Sequence, residues 1–565
     1  MIGAFSSFLG VIKERIDNIN PLLLAVALFT IFLFLPLITY NHTSAGGDMA
    51  EYVNNPLRVI NGELPYRDFW LLFPPGEVFL PAFIYKAFGL NINILLIFSV
   101  VIGAFVGIFS FLLGRLIFRD NFFAITSAML VFFNGILHVG YTYIHMYFLL
   151  LLISAFFFIK YLRDNDLRGK LFLTGIFVGV AFLFKLYVVG AAFLAFFLTI
   201  FIHSKFNRKP FSHSIKSIAV FCSGVLFVGA LVFLALIEIW QPMVRETVIE
   251  SLSHGTSMNL PYFTSSIPYL GSILTNLKEL PKTGRYFYIM KIFYQLFYQL
   301  ANFINITLLY LLPLFLVSTS IWYLLSKKLE KSDKIIILFF FLWGMFTFPK
   351  ALGRSDIAHL VSSIAPLFFL LIFLLQKGIE RLEANKSSIE KFIKYGFVII
   401  TLLLLIQVPL FFVHIGYALV KSPHYEVSTK YGTLLFRNES EAKDVNATID
   451  FINRNTKEKD YIFVTPWYAP PFYALTNRKN PTYYDSLIDL VVRPSNEKQI
   501  KICDDLLNRD TKLIIHYTDW GFDNKEELQF LNTCPILQKC IENNFELTEK
   551  YGHYWIYISK NQAHN

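Results

Sequence analysis

Long runs with almost no Asp, Glu, Lys or Arg recur between residues 20 and 415. A helix needs about 20 apolar residues to cross the hydrocarbon of a bilayer, so these runs can be counted as spans. They fall near 20–40, 92–114, 121–138, 143–160, 171–188, 189–204, 217–238, 299–326, 335–349, 359–376 and 395–415, about eleven helices by the length rule. With 55% hydrophobic residues, 61 Phe and a mean hydropathy of +0.52, the chain has more apolar surface than one soluble core can hide. The expected class is a polytopic α-helical membrane protein.

Two runs are too long for one crossing. The uncharged stretch 121–159 is divided at His138-Val139-Gly140-Tyr141, where Gly and polar aromatics permit a turn. The stretch 292–326 is also overlong, and splitting it would reverse every later topology assignment, so the loop charges arbitrate. With one crossing there, the basic clusters Arg115/Arg119, Lys160 to Lys170, Lys205 to Lys216, Lys327 to Lys334 and Lys377 to Lys394 share a side with Lys13 and Arg15. That side is expected to be cytoplasmic by the positive-inside rule. The first loop 41–91, the turn 138–143, the loop 239–298, the turn 350–358 and everything beyond about 416 then face outward. The net charge of +10 mostly reports this anchoring; no basic and aromatic module points to nucleic acid. The segment 1–20 reads as an uncleaved interfacial helix, since its basic residues follow its apolar stretch.

Composition divides the chain into a membrane domain, 1–415, and a small extracytoplasmic α/β domain, 416–565. Helices are expected over 440–456, 496–508 and 526–542, and strands over 461–465, 512–516 and 554–558. Three cysteines, Cys503, Cys534 and Cys540, lie in the outer domain, where disulfides form; Cys534 and Cys540 are close enough in sequence to pair, and three unpaired thiols are the alternative. Asn41, Asn438 and Asn446 begin short glycosylation sequons. No CxxC or HExxH spacing offers a metal site.

Chemistry is expected among outward-facing polar residues. Asp48-Met-Ala-Glu51, just after the first span, has the spacing of a helix capping box, and the same carboxylates suit acid–base work at the membrane edge. Lys185 is the only Lys, Arg, Asp or Glu within 171–204. A charge within a span is costly and calls for a partner, although a lysine near a helix end also snorkels. In the turn Pro349-Lys350-Ala-Leu-Gly353-Arg354-Ser355-Asp356-Ile-Ala-His359, Asp356 and His359 are three apart and share a helical face. Arg354 and His359 suit a phosphate with Asp356 orienting them, while Ser355 and Asp356 also suit the start of a helix. Arg67 and Asp68 read as a local salt bridge.

The arrangement resembles the GT-C superfamily of membrane glycosyltransferases, and within it the branch of the protein O-mannosyltransferases and the lipid A aminoarabinose transferase. The matching pieces are Asp48 with Glu51-Tyr52, the stretch Asn61-Gly62-Glu-Leu-Pro65-Tyr66-Arg67-Asp68, and Phe73-Pro74-Pro75-Gly76 leading into the second span. More loosely, the outer segment Tyr473-Ala-Leu-Thr-Asn-Arg478-Lys-Asn480-Pro481-Thr482 also matches. The resemblance implies transfer of a sugar from a polyprenyl-phosphate donor to an extracytoplasmic glycan, lipid or protein, with inversion and with Asp48 as the catalytic base. In that reading Lys185, Arg354 and His359 bind the donor phosphate and Glu51 and Asp356 assist. Family members often place a second acid in another outer loop to help hold a divalent metal, whereas the turn 138–143 has no acid, only His138, with His145 nearby. No cofactor is therefore assigned with certainty, and a divalent metal stays open as an alternative. The rival expectations are a transporter or lipid flippase, in which Lys185 would line a pathway, and a non-catalytic membrane scaffold.

Overall fold

A computed structural model describes residues 2–43, 48–138, 142–164, 168–251, 259–279, 286–327, 329–382, 388–421, 424–466, 470–484, 487, 490–491, 494–518 and 528–560. The chain is a polytopic helical protein with a small mixed α/β portion. The expected spans coincide with helical segments, 395–415 with two, Ser388–Leu405 and Gln407–Lys421, but fewer are long enough to cross than the expected eleven. Among the described residues eight helices are long and apolar enough to cross a membrane, or up to nine if Gly10–Asp17 and Pro21–Leu37, bent by 103°, form one span. Asn121–Asn134 and Arg168–Ala181 have 14 residues each, so they rise only about 21 Å. The overlong stretch near 300 is one helix, Tyr286–Leu325, unbroken despite Pro313. The division near 138 also holds, because Asn121–Asn134 and a short turn over Ile136–His138 precede the helix Thr142–Asp164.

The chain packs as two compact units. The first comprises Met1–Ile38, Val101–Ala235 and Asn259–Tyr417 and is a bundle of the apolar helices. One of its tight contacts joins Arg168–Ala181 to Phe211–Ala235, where Gly175 and Gly224 meet. A Cβ on Gly175 would strike the Phe221 carbonyl oxygen, and one on Gly224 would strike the carbonyl oxygen of Phe172. Small residues let backbones approach closely where lipid leaves no hydrophobic drive between helices. Gly224→Val is therefore expected to destabilise the bundle by about 1–3 kcal/mol through overpacking. Gly229→Val, in the same helix but with nothing within 4 Å of its Cβ, is the control. Equal thermal midpoints for the two variants in detergent would refute the contact.

The second unit comprises Thr39–Val100, Leu236–Met258 and Ala418–Asn565, and in it residues beyond 416 share a core with the first loop. Strands β1 (His42–Thr43), β2 (Tyr425–Thr429) and β3 (Gly432–Phe436) form one sheet in the order β1-β3-β2. A second sheet has the order β4-β5-β7-β6, from Ile462–Thr465, Leu513–Tyr517, Tyr554–Ser559 and Phe545–Tyr551 respectively. β4 and β5 are parallel, with the helix Asn496–Asn508 in the crossover, and β7 pairs antiparallel with both neighbours. Val53, Leu57 and Tyr85 share a buried cluster with Val427, Ile452, Val464 and Ile515.

The expected helix over 526–542 is two pieces, Phe530–Thr533 and Pro535–Asn544, because Pro535 has no N–H to continue the first and is suited to the start of the second. The disulfide joins Cys503 to Cys540, not Cys534 to Cys540. Its partners come from the helices Asn496–Asn508 and Pro535–Asn544, whose packing is invisible to sequence spacing; Cys534 is a buried free thiol.

Candidate active site

The apolar stretch 171–204 is interrupted at Phe182–Lys185, a few residues before the expected division at 188/189, by a tightened turn in which Leu183 N–H and Phe184 N–H donate to the carbonyls of Val180 and Ala181. Neither Gly nor Pro marks this break. Lys185 therefore lies not inside a span but at the start of the helix Leu186–Phe206, in extended conformation, and is 9% exposed. Its ammonium lies 5.5 Å from the centre of the Tyr187 ring, and the ammonium of Lys350 lies 5.6 Å from the same ring. The ring's negative face lets two like charges approach one another. Lys350 also donates to Ser362 Oγ at 2.7 Å, across the turn that joins Lys331–Thr347 to Ile357–Leu382.

That turn is organised around Asp356. Its carboxylate accepts from Arg354 Nε at 2.9 Å, from the His359 backbone N–H at 2.9 Å and from His359 Nδ1 at 2.8 Å. The last bond sets the ring tautomer: Nδ1 carries the proton, so Nε2 is the acceptor of the neutral ring and a second donor of the charged one. Burial opposes ionisation of Asp356, but the bond from His359 and the charge of Arg354 outweigh it and hold the carboxyl at about 2. Ser355 is buried; its hydroxyl donates to the Ala351 carbonyl and its own carbonyl accepts from Tyr310. The Leu260 N–H donates to the Gly353 carbonyl at 3.3 Å, tying a second segment to the turn.

Lys185, Lys350, Asp356 and His359 are within electrostatic reach of one another, and Arg354 is bonded to Asp356. Four basic side chains, Lys185, Lys350, Arg354 and His359, thus gather around one carboxylate. Arg354 and His359 are 24% and 36% exposed, so the group is reachable from outside the bundle. Such a constellation suits an anion with several oxygens. Of the residues singled out by sequence, Lys185, Arg354, Asp356 and His359 come together here. Lys350 was missed, although its position four residues before Arg354 in the same polar turn was a usable signal.

Asp48 and Glu51 belong to the second unit, on the helix Asp48–Ile60. The helix begins at Asp48, but the Asp48 side chain lies outside the described residues, as does that of His138. Glu51 is half-buried. Further along, Arg58 is buried against the Phe69 ring at 4.6 Å, pairs with Glu63, and donates to the Thr482 carbonyl at 2.9 Å and the Asp68 carbonyl at 3.3 Å. The motif from Asn61 to Asp68 and the segment ending at Thr482 are thereby joined through one guanidinium. Arg67 and Asp68 form the expected local pair, at 2.7 Å.

Glu246 gave no firm signal in the sequence, and the structure makes it a junction. Its buried carboxylate accepts from the Leu71 N–H at 3.0 Å and from the Tyr483 hydroxyl, while Glu250 accepts from Trp70 Nε1 at 3.0 Å. Burial lifts Glu246 to about 7, against the two hydrogen bonds that favour its charge. A carboxyl raised on folding is protonated in the native state but ionised in the unfolded chain between about 4.5 and 7, so stability falls as pH rises through that window. Glu246→Gln is expected to flatten this dependence, read as thermal midpoints from pH 4.5 to 8 followed by Trp fluorescence. An unchanged slope would remove Glu246 as its source. His254 and Arg285, also in the loop 239–298, lie outside the described residues.

Among the described residues no group of three or more His, Cys, Asp or Glu is arranged to hold a metal ion. His145, buried, has Nε2 3.3 Å from the Ile136 carbonyl. No family model matches the chain, and no curated protein matches it. Solved structures do. The crystal structure of ArnT from Cupriavidus metallidurans bound to undecaprenyl phosphate matches with a TM-score of 0.50 and 12% identity, over 95% of this chain and 97% of that one. The archaeal oligosaccharyltransferase AglB from Archaeoglobus fulgidus, in complex with an inhibitory peptide and a dolichol-phosphate, gives 0.49 and 12%, over 95% and 74%. At these identities the likeness concerns the backbone path, which runs nearly end to end in ArnT. The chain shares the fold of ArnT over nearly its whole length.

Proposed function

We propose that the protein is an integral-membrane glycosyltransferase that moves a sugar from a polyprenyl-phosphate donor to an extracytoplasmic glycan, lipid or protein. The observation that carries this reading is the group of Lys185, Lys350, Arg354 and His359 around Asp356, a cationic pocket at the ends of apolar helices. The undecaprenyl phosphate bound by the ArnT relative is a ligand of the kind such a pocket would take.

In the reaction, the acceptor oxygen attacks the anomeric carbon as the bond from that carbon to the phosphate oxygen breaks. The electron pair leaves with the phosphate, and Asp48 takes the acceptor proton; attack from the face opposite the leaving group inverts the centre. The donor is a phosphodiester with one negative charge, and the departing polyprenyl phosphate develops a second. Cations that strengthen their hold as that charge grows lower the barrier, rather than merely binding the donor. Lys185 and Lys350 fill this role, Arg354 and His359 reach the remaining oxygens, and Asp356 positions both. Glu51 supports Asp48 from the next helical turn.

The test is reconstitution of the purified protein with a panel of polyprenyl-phosphate hexoses and pentoses and an extract of cell-envelope lipids and glycans, scored by mass spectrometry for released polyprenyl phosphate. Donor consumed with matching glycosylated product supports the transferase. Donor moved across the bilayer with its glycosidic bond intact would establish a flippase instead.

A further inference from the structure

At the other end of the first unit's bundle lies a cavity of about 510 Å³. Its lining includes the first turns of Lys331–Thr347 and the last turns of Ile357–Leu382. The same two helices lead to Lys350 and His359 at their opposite ends, roughly 25 Å away by helical rise. The volume is within the range of ligand pockets, in a class of interior that is otherwise close-packed.

The cavity is two-faced. Ile159, Ile335 and Phe373 give it an apolar wall, while Arg119, Arg163, Lys331 and Lys377 bring positive charge. Glu330, Asp333 and Glu380 oppose them, which leaves an excess of one cation. The negative side is partly used up internally, since Lys377 bridges Asp333 at 3.1 Å and Glu380 at 2.9 Å. Helix ends hold the polar wall in place: Arg163 donates to the Ile117 carbonyl at 2.9 Å, Gln376 to that of Phe118 at 3.1 Å and Lys331 to that of Phe206 at 3.4 Å. This is also the end at which the basic loop clusters gather, and basic pockets between membrane helices are suited to lipid head groups.

We infer that this cavity binds a lipid phosphodiester whose head group bears hydroxyls. One net positive charge matches one phosphodiester, Glu330 accepts from head-group hydroxyls, and the apolar wall receives the start of an acyl or prenyl chain. The site is separate from the proposed transfer centre and stands whether or not that centre works as described.

Native mass spectrometry of the full-length protein tests it, after detergent exchange into phosphatidylglycerol, phosphatidylcholine, a polyprenyl-phosphate hexose or inorganic phosphate. Retention of phosphatidylglycerol over phosphatidylcholine by about tenfold is expected, and loss of that preference in the double variant Arg119→Glu/Lys331→Glu, which changes two exposed side chains. Ser332→Trp, which fills the cavity from an exposed position, should also remove the bound lipid. Prenyl donor lost from these variants but kept by Lys350→Gln would identify the donor as the occupant; phosphatidylglycerol behaving so would identify a phospholipid. Equal retention of both phospholipids, retention unaffected by either cavity variant, or binding of inorganic phosphate alone would overturn the inference.

Discussion

In Lys350→Gln, sugar transfer is expected to fall about 10²–10³-fold, the range seen when one group that stabilises developing negative charge is removed. Glutamine keeps a donor within reach of Ser362 but carries no charge, so the turn retains its bond while the pocket loses a cation. The fall should appear mainly in kcat, because the second charge on the phosphate exists only as the sugar departs. Lys350→Arg should recover part of the rate, whereas Lys334→Gln, at the far end of the helix Lys331–Thr347 that precedes the turn, should leave it unchanged. A loss confined to KM would show that Lys350 contributes binding alone. Wild-type kinetics in Lys350→Gln would remove it from the site.

Asp48→Asn is expected to lower transfer about 10²–10⁴-fold, the usual worth of a positioned general base. The substitution separates the two roles that the spacing Asp48-Met-Ala-Glu51 allows. Asparagine caps a helix about as well as aspartate, so a purely structural Asp48 predicts an unchanged rate and an unchanged thermal midpoint. A catalytic Asp48 predicts an unchanged midpoint with transfer lost. Asp48→Ala, which removes both functions, should lose transfer and about 1 kcal/mol of stability as well. Full transfer by Asp48→Asn would eliminate the residue as the base.

Much of the architecture was legible because apolar length is a property of the chain taken in order. The expected spans coincide with helical segments, and a new helix starts at Thr142 as the expected division near 138 requires, although Val139, Gly140 and Tyr141 lie outside the described residues. The pairing of Asp356 with His359 was equally legible, since three residues along a helix bring side chains to one face. The strand Phe545–Tyr551 escaped notice because only its first residue is buried, so no alternation of apolar and polar residues marks it. Arg58 also passed unremarked. Its partners Glu63, Asp68, Phe69 and Thr482 make it the link between the first loop motif and a segment more than four hundred residues later.

By itself the sequence determined that the chain is a polytopic membrane protein, where its helices run, and that the polar turn after Pro349 joins a cation, a carboxylate and a histidine. Those properties depend on hydrophobic length and on neighbours within one helical turn. Only the tertiary structure decided that Lys185 opens a helix instead of interrupting one, that Lys350 meets it over Tyr187, and that Cys540 pairs with Cys503. It also brought Glu246 between Leu71 and Tyr483. Each of these joins residues that only helix and sheet packing places together, and no local periodicity encodes which distant faces will meet.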